Sequence, residues 1–531
     1  MSNIQVLDCT LRDGGYCNEW KFGENNIHKI VKSLTDAKFD IIECGFLNQT
    51  VEYDKNITLF TNPELISNFI PKSTEGKKTQ NPLYVAMMNY GQFNPDDLPQ
   101  HNYSLIDGIR VAFHKKDRMQ ALEVCKKIQS KGYKLFVQAM FSMSYTDREF
   151  IDLINSFNEI KPYAFYIVDS FGTMKKKNLM RYFYLCENNL ADGIKLGFHS
   201  HNNLQLAYSN AQDLLHEQSN KDIIIDSSVY GMGRGAGNLN SELFLDYLNE
   251  NFSGHYDIKP LLNIIDEVLN GFYEENHWGY SLPNYLSATH GAHPNYGLYY
   301  ASKNTLTVQA MDEIFSWMPD DRKISFDKKY AEELYVKFMA TGNEQSSHLS
   351  ELKKKVKGKK ILLIAPGKSS KTEEALIIAT SKKSDVISVS INYDYKATDN
   401  NLIFLSNLRR FKELPEEAKK RTIVTANIPG DGFYIQTKYY DLLNDVESVR
   451  DNAGMMAIKF FIGLGASEMV LAGIDGYSHD LAENYASNDM TIFTQNAMVE
   501  ALNNGMKKVL REFSKEIKIT FLTTPKYVSL D

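Results

Sequence analysis

Cysteine is scarce in this chain. Its five thiols in 531 residues (Cys9, Cys17, Cys44, Cys125 and Cys186) form no CxxC pair and all fall in the first part. An odd, scattered set speaks against a disulfide framework and reads as the reduced thiols of a cytoplasmic protein. Long apolar runs are missing too: no uncharged stretch approaches the ~18 residues that span a bilayer. The start, Met-Ser-Asn-Ile-Gln-Val, lacks the basic segment and apolar stretch of a signal peptide. No membrane association is expected. Nor is there an excess of positive charge; the net charge of -7 gives no reason to expect nucleic acid as a partner. The chain has no internal repeat and no low-complexity tract.

What is present is a rhythm. A length of 531 residues exceeds one ordinary core, and 43% hydrophobic with 24% charged content is that of a globular chain of two or three domains. Apolar runs rich in β-branched and aromatic residues recur at 4–9, 41–46, 83–88, 108–113, 135–140, 164–169, 195–199 and 223–228. Amphipathic stretches such as 25–37, 118–131 and 204–216 lie between them. Eight strand-like runs alternating with helical patterns predict an α/β fold, a (β/α)8 TIM barrel over residues 1–255. Residues 256–350 read as a helical extension and linker, with helices at 259–272 and 330–340. The lysine-dense stretch 351–360 reads as an exposed connector. Residues 351–531 read as a second, doubly wound Rossmann-like α/β domain with strands at 361–365, 386–391, 403–405, 421–426, 468–474 and 519–523.

Two segments carry the chemistry: Asp8-Cys-Thr-Leu-Arg-Asp-Gly-Gly15 and Gly197-Phe-His-Ser-His-Asn-Asn203. His199 and His201 are two apart, so on a strand both point to one face. With Asp13 they make a three-ligand set for a divalent metal with open positions. In a barrel the reactive groups sit at the C-terminal strand ends, where Asp13, Glu43, Asp169, His199 and His201 all fall. A divalent ion that holds a 2-oxo acid polarises its carbonyl, and Arg12 adds positive charge where the oxyanion develops. These parts suit making or breaking a carbon–carbon bond beside a carbonyl.

The same residues resemble a known family. Thr10-Leu-Arg-Asp-Gly14, Val168-Asp-Ser-Phe-Gly-Thr173, His199-Ser-His-Asn-Asn203 and Gly231-Met-Gly-Arg-Gly-Ala-Gly-Asn238 together look like the DRE-TIM metallolyases, nearest the 4-hydroxy-2-oxovalerate aldolase branch, over about residues 1–250. The resemblance implies that Asp13, His199 and His201 hold Mn2+ or Mg2+ and that Arg12 stabilises a pyruvate enolate. The implied enzyme is a lyase, a class II type of pyruvate aldolase acting on a 2-oxo acid and an aldehyde. One position departs from the pattern: Gly15-Tyr16 stands where those aldolases carry a histidine base. Tyr16, Glu43, His290, His293, Tyr296 and a metal-bound water are then the candidates for proton transfer. The alternatives are a Claisen-type acyl-CoA condensing enzyme and a non-catalytic barrel scaffold beside a ligand-binding domain.

Two further motifs read otherwise than their patterns suggest. Gly231-x-Gly233-x-x-Ala236 fits the loose dinucleotide fingerprint, but it follows the eighth strand and has no βαβ unit after it. Ala365-Pro-Gly-Lys-Ser-Ser370 lacks the upstream glycine of a P-loop. Its turn still suits a phosphate. Residues 451–457 and 463–476 resemble segments of bacterial sialyltransferases and pterin-pyrophosphokinase-like domains, which implies a nucleotide or sugar-nucleotide ligand and a link to surface-sugar synthesis. Gly367, Ser369, Asn427 and Asp475 are the candidates to bind it. The aldehyde, the reaction direction and any homo-oligomer stay open at this level.

Overall fold

The computed structural model describes residues 3–71, 82–340, 348–399, 401–487, 490 and 498–529. Eight parallel strands form the first sheet: β1 (Ile4–Asp8), β2 (Ile41–Leu47), β3 (Leu83–Asn89), β4 (Gly108–Phe113), β5 (Lys134–Ala139), β6 (Ala164–Asp169), β7 (Lys195–Ser200) and β8 (Ile223–Ser227). β1 pairs with β8 (Ile4 opposite Ile223) and also with β2 (Leu7 opposite Ile41), so the sheet closes into a barrel. A two-residue strand, Leu59–Phe60, adds to β2. Buried on both faces, the strands read as nearly continuous apolar runs, which is why the sequence announces all eight.

Helices cover the outside. Glu24–Asp36 turns Ile27, Ile30, Val31 and Leu34 inward, the spacing of one helical face. Asp147–Asn158 begins at a capping box in which Thr146 and Glu149 bond each other's backbone N–H groups. The large core lies between helices and strands. A smaller cluster that includes Leu7, Ile41, Val85, Phe136, Tyr166 and Ile224 packs separately from it.

The described chain divides into two compact units. One comprises Met1–Gly297 with Asp320–Ser325, the other Leu298–Pro319 with Phe326–Asp531. The helical stretch 256–350 is therefore shared between them. Its first helical segment, expected at 259–272, is Lys259–Ile264, a π turn at Ile265–Leu269 and Asn270–Glu275. The lysine-dense stretch is more than a connector: Leu349–Val356 is a helix that buries Leu352 and Val356 and leaves Lys353–Lys355 exposed. Two apolar residues four apart suffice for one buried stripe.

The second unit holds a seven-stranded parallel sheet: β9 (Lys360–Ile364), β10 (Val386–Ile391), β11 (Leu402–Leu405), β12 (Thr422–Thr425), β13 (Ile435–Thr437), β14 (Glu468–Ala472) and β15 (Lys518–Phe521). Their order is β13-β12-β11-β10-β9-β14-β15, so the chain reverses direction across the sheet between β9 and β14. The three-residue β13 is too short for an apolar run to announce it. Among the described residues no helix is long and apolar enough to cross a membrane.

Candidate functional site

The loop after β1 is built by its own side chains. The Asp8 carboxylate accepts from the Thr10 N–H and hydroxyl, each at 2.9 Å, and starts the short helix Thr10–Asp13. Burial pushes Asp8 up to about 7, against those hydrogen bonds. Trp20 Nε1 donates to the Arg12 carbonyl at 2.8 Å, and its ring lies under Gly15, where a Cβ would come within 2.0 Å of it. The Gly-Gly pair is thus a matter of close approach. Asp13 is consequently on a helical turn just past β1. His199 lies within β7, while His201 lies one residue past its end, in an antiparallel bridge to Asn238.

Asp13, His199 and His201 come together. Their ligand atoms lie within 4.8 Å of one another and all three side chains are buried. His201 Nδ1 is 3.7 Å from Asp13 Oδ2 and makes no hydrogen bond. Burial, helped by His199, Arg234 and Arg12, pulls His201 down to about 3, so it is the neutral imidazole that ligates metals. Burial works against Asp13, but Arg12, the two histidines and Arg234 outweigh it and hold its carboxyl far below the usual range. One carboxylate and two imidazoles, with an unpartnered buried nitrogen among them, fit a divalent ion of hard to intermediate character.

Behind the triad runs a chain of buried charges that the sequence reading did not single out. Asp226 Oδ2 lies 3.0 Å from His199 Nδ1, leaving Nε2 for a metal. Asp226 also pairs with Arg110, whose Nη1 is 2.9 Å from Glu43 Oε2. Glu43 in turn accepts from Arg12 Nε at 2.8 Å, and Arg12 Nη1 bonds Asp13. Arg110 thus ties the histidine side of the site to the arginine side. Arg12 Nη2 is buried with no hydrogen-bond partner. Asn238 Nδ2 donates to Asp13 Oδ2 at 2.7 Å, and its buried Oδ1 is unpartnered. A charge inside an apolar strand run, Ile109-Arg-Val111 or Ile225-Asp-Ser227, is the signal that could have found Arg110 and Asp226.

The proton-transfer candidates separate. Tyr16 packs edge-on to Trp20 at 4.7 Å and carries the Arg234 guanidinium 3.7 Å from its ring centre. His293 packs on Phe171 at 5.9 Å, and its Nε2 is 3.4 Å from Arg234 Nη1. Burial and then Arg234 and His201 bring His293 down to about 3. Its Nδ1 faces the Asn295 N–H at 3.2 Å and its Nε2 faces an Arg234 N–H, so both ring nitrogens meet donors. Glu43 is committed to two arginines. His290 caps the helix Leu282–Thr289, its N–H donating to the Leu286 carbonyl, and does not join the buried triad. The Tyr296 hydroxyl donates to the carbonyls of Arg322 and Ser325. Asp169 accepts from the Thr173 and Met174 N–H groups and shapes its loop, with burial raising it to about 6.

In the second unit the candidates hold one another. Asp475 accepts from the Ser369 N–H at 2.8 Å and from its hydroxyl. Gly367 N–H donates to the Gly473 carbonyl at 3.0 Å, and a Cβ at Gly367 would lie 2.2 Å from that oxygen. Asn427 donates to the Ser406 carbonyl and accepts from Thr425. Lys368 of the Gly-Lys-Ser turn pairs with Glu483.

Residues 111–268 match the HMGL-like family model. A 4-hydroxy-2-oxovalerate aldolase of Geobacillus genomosp. 3 is 25% identical over 250 residues, 46% of this chain and 70% of that protein. An oxaloacetate decarboxylase of Mycobacterium tuberculosis is 23% identical over 262 residues, 49% of this chain and 74% of that protein. The crystal structure of the N-terminal domain of a candidate aldolase from Bacteroides vulgatus is 26% identical, with a TM-score of 0.49, covering 56% of this chain and 96% of that one.

Proposed function

Taking the barrel as an HMGL-like domain of the DRE-TIM metallolyase kind, we propose that the chain is a divalent-metal-dependent carbon–carbon lyase working through the enolate of a pyruvate-type 2-oxo acid. The observation that carries this reading is the buried Asp13–His199–His201 cluster with the unpartnered Arg12 Nη2 beside it. Those three side chains would hold Mn2+ or Mg2+, which supplies Lewis acidity toward the keto oxygen when bound. Arg12 Nη2 is a preorganised donor for the enolate oxygen, fixed by Glu43 and Asp13 so that nothing need reorganise as charge develops. Asn238 orients Asp13, and Asp226 fixes the His199 tautomer.

Proton transfer at the 2-oxo acid methyl falls to Tyr16, which stands at the mouth in the place of the aldolase histidine. His293, held neutral beside Arg234, suits a different role, that of a hydrogen-bond partner for the aldehyde-derived oxygen. In the aldol direction the enolate carbon bonds the aldehyde carbon and the aldehyde oxygen gains a proton; cleavage reverses both. The test is deuterium uptake by the pyruvate methyl group in heavy water with and without Mn2+. Uptake in the wild type should need the metal, fall about 10²–10³-fold in Arg12→Ala, and be lost in His199→Ala. No metal-dependent uptake in the wild type would overturn the reading, and thiol release from an acyl-CoA would favour the Claisen alternative.

For the second unit the supporting observation is the reversal of strand order between β9 and β14, the place where open parallel sheets bind ligands. We read it as a nucleotide or sugar-nucleotide site in which Gly367, Ser369, Asn427 and Asp475 shape the loops. Titration calorimetry with CMP, UDP and UDP-glucose tests this; no heat with any of them counts against it.

A further inference from the structure

Three arginines surround the barrel site, and two of them are answered. Arg12 meets Asp13 and Glu43, and Arg110 meets Glu43 and Asp226. Arg234 is different. It is half-buried, and among the described residues no carboxylate lies within 4 Å of its guanidinium. Its neighbours are the face of Tyr16 and the neutral His293 ring, neither of which offers a full negative charge. A partly desolvated cation with no carboxylate in direct contact is costly unless an anion joins it.

Its position is fixed on both sides. A Cβ at Gly233 would lie 2.8 Å from Asp13 Oδ2, and one at Gly235 would lie 2.7 Å from Asn203 Oδ1. The Ala236 N–H donates to Asn203 at 2.7 Å. The loop therefore runs directly against the triad and holds Arg234 over the mouth, close enough that its charge acts on Asp13, His201 and His293. Arg12, on the opposite side of Asp13 from this loop contact, already serves the enolate end. Beyond Arg234 the wall is aromatic, with Phe141 on Phe171 at 4.1 Å and Phe171 on His293. A half-buried guanidinium with aromatic rings beyond it suits a short carbon chain ending in an anion, and the planar fork of arginine pairs bidentately with carboxylate or phosphate.

We propose that Arg234 receives an anionic group, a carboxylate or a phosphate, on the aldehyde that the enolate adds to or releases. This rests on the enolate reading above. It sets the substrate class apart from 4-hydroxy-2-oxovalerate, whose aldehyde half carries no charge.

The experiment uses the full chain with Mn2+ and pyruvate, and three aldehydes: propanal, succinic semialdehyde and glyceraldehyde 3-phosphate. One of the two anionic aldehydes should exceed propanal about 100-fold in kcat/KM, and which one identifies the anion. In Arg234→Gln that preference should shrink to about 3-fold, mainly through KM, and Arg234→Lys should restore part of it. A wild type without preference, or an Arg234→Gln enzyme with the preference intact, overturns the proposal. Methyl deuterium exchange needs no aldehyde and separates the two failures: exchange without anion preference sinks this inference alone, whereas no exchange removes the enolate reading and this inference with it. Should exchange occur but no aldehyde react, calorimetric titration of succinate and inorganic phosphate decides. Heat in the wild type that vanishes in Arg234→Gln supports the anion site, and equal heats overturn it.

Discussion

The C-terminal strand ends of the two parallel sheets look alike in sequence, each a strand followed by a turn of glycine and polar residues, but they use their polar atoms oppositely. Around the barrel mouth, buried groups are left over: Arg12 Nη2, His201 Nδ1 and Asn238 Oδ1 have no partner, and among the described residues no carboxylate contacts the Arg234 guanidinium. In the second sheet's loops, Asp475, Ser369 and Lys368 at the reversal point and Asn427 after β12 are matched within the unit. Buried polar atoms are nearly always satisfied. An unsatisfied cluster therefore marks where something else is to bind, and a satisfied one marks where the backbone is held in shape.

The comparison can be broken at several points. The largest effect belongs to Asp13→Asn, which should abolish Mn2+ binding by calorimetry and cut pyruvate exchange at least about 10³-fold; retention of both would mean the triad is only structural. Arg110→Met leaves Asp226 buried with only His199 beside it and Glu43 with Arg12 alone, so the urea midpoint of the barrel should fall by an amount equal to about 3–5 kcal/mol. Replacing Arg110, Glu43 and Asp226 together by Met, Gln and Asn should recover much of the loss, and no recovery would argue against charge as the cause.

Asp8 gives a pH signature of similar size. Its folded-state value is raised to about 7 from an unfolded ~3.9, so its ionised form is the disfavoured one. Its contribution to stability is best below ~4 and is lost as pH rises through 4 to 7, up to about 4 kcal/mol by linkage. Asp8→Asn should flatten stability across that window relative to wild type; identical slopes would show that burial does not govern this carboxyl. Next in size is Asp226→Asn, for which about 10–100-fold weaker Mn2+ binding is expected. Smallest is Ser369→Ala in the second unit. Loss of its hydroxyl bond to Asp475 should cost about 1–2 kcal/mol in unfolding and leave the pyruvate exchange rate as it was.

Much of this was legible in the chain. The eight barrel strands stood out because parallel strands covered on both faces are apolar throughout, and Asp13, His199 and His201 because few other roles call for an imidazole pair two apart next to Arg-Asp-Gly. Arg110 and Asp226 were passed over because a lone charge inside an apolar run is read as an interruption, and the partner that makes sense of it is more than 100 residues away. Arg234 sat in plain view within a glycine motif that drew all the notice to its glycines. The three residues of β13 carry too little pattern to be seen. The buried stripe of Leu349–Val356 was hidden by its lysines.

The closure of β1 onto β8 has a consequence for the life of the chain before it is whole. Asp13 arrives at the start of synthesis, the two histidines some 190 residues later, and Asn238 later still. The complete cluster cannot exist until the last strand docks, since β1, which carries Asp13 just past its end, gains its second neighbour only then. The nascent chain therefore cannot hold an ion with all three ligands before the ring closes. Metal uptake during refolding should lag the formation of helices and coincide with ring closure, which makes a bound ion a clock for the final step of barrel assembly.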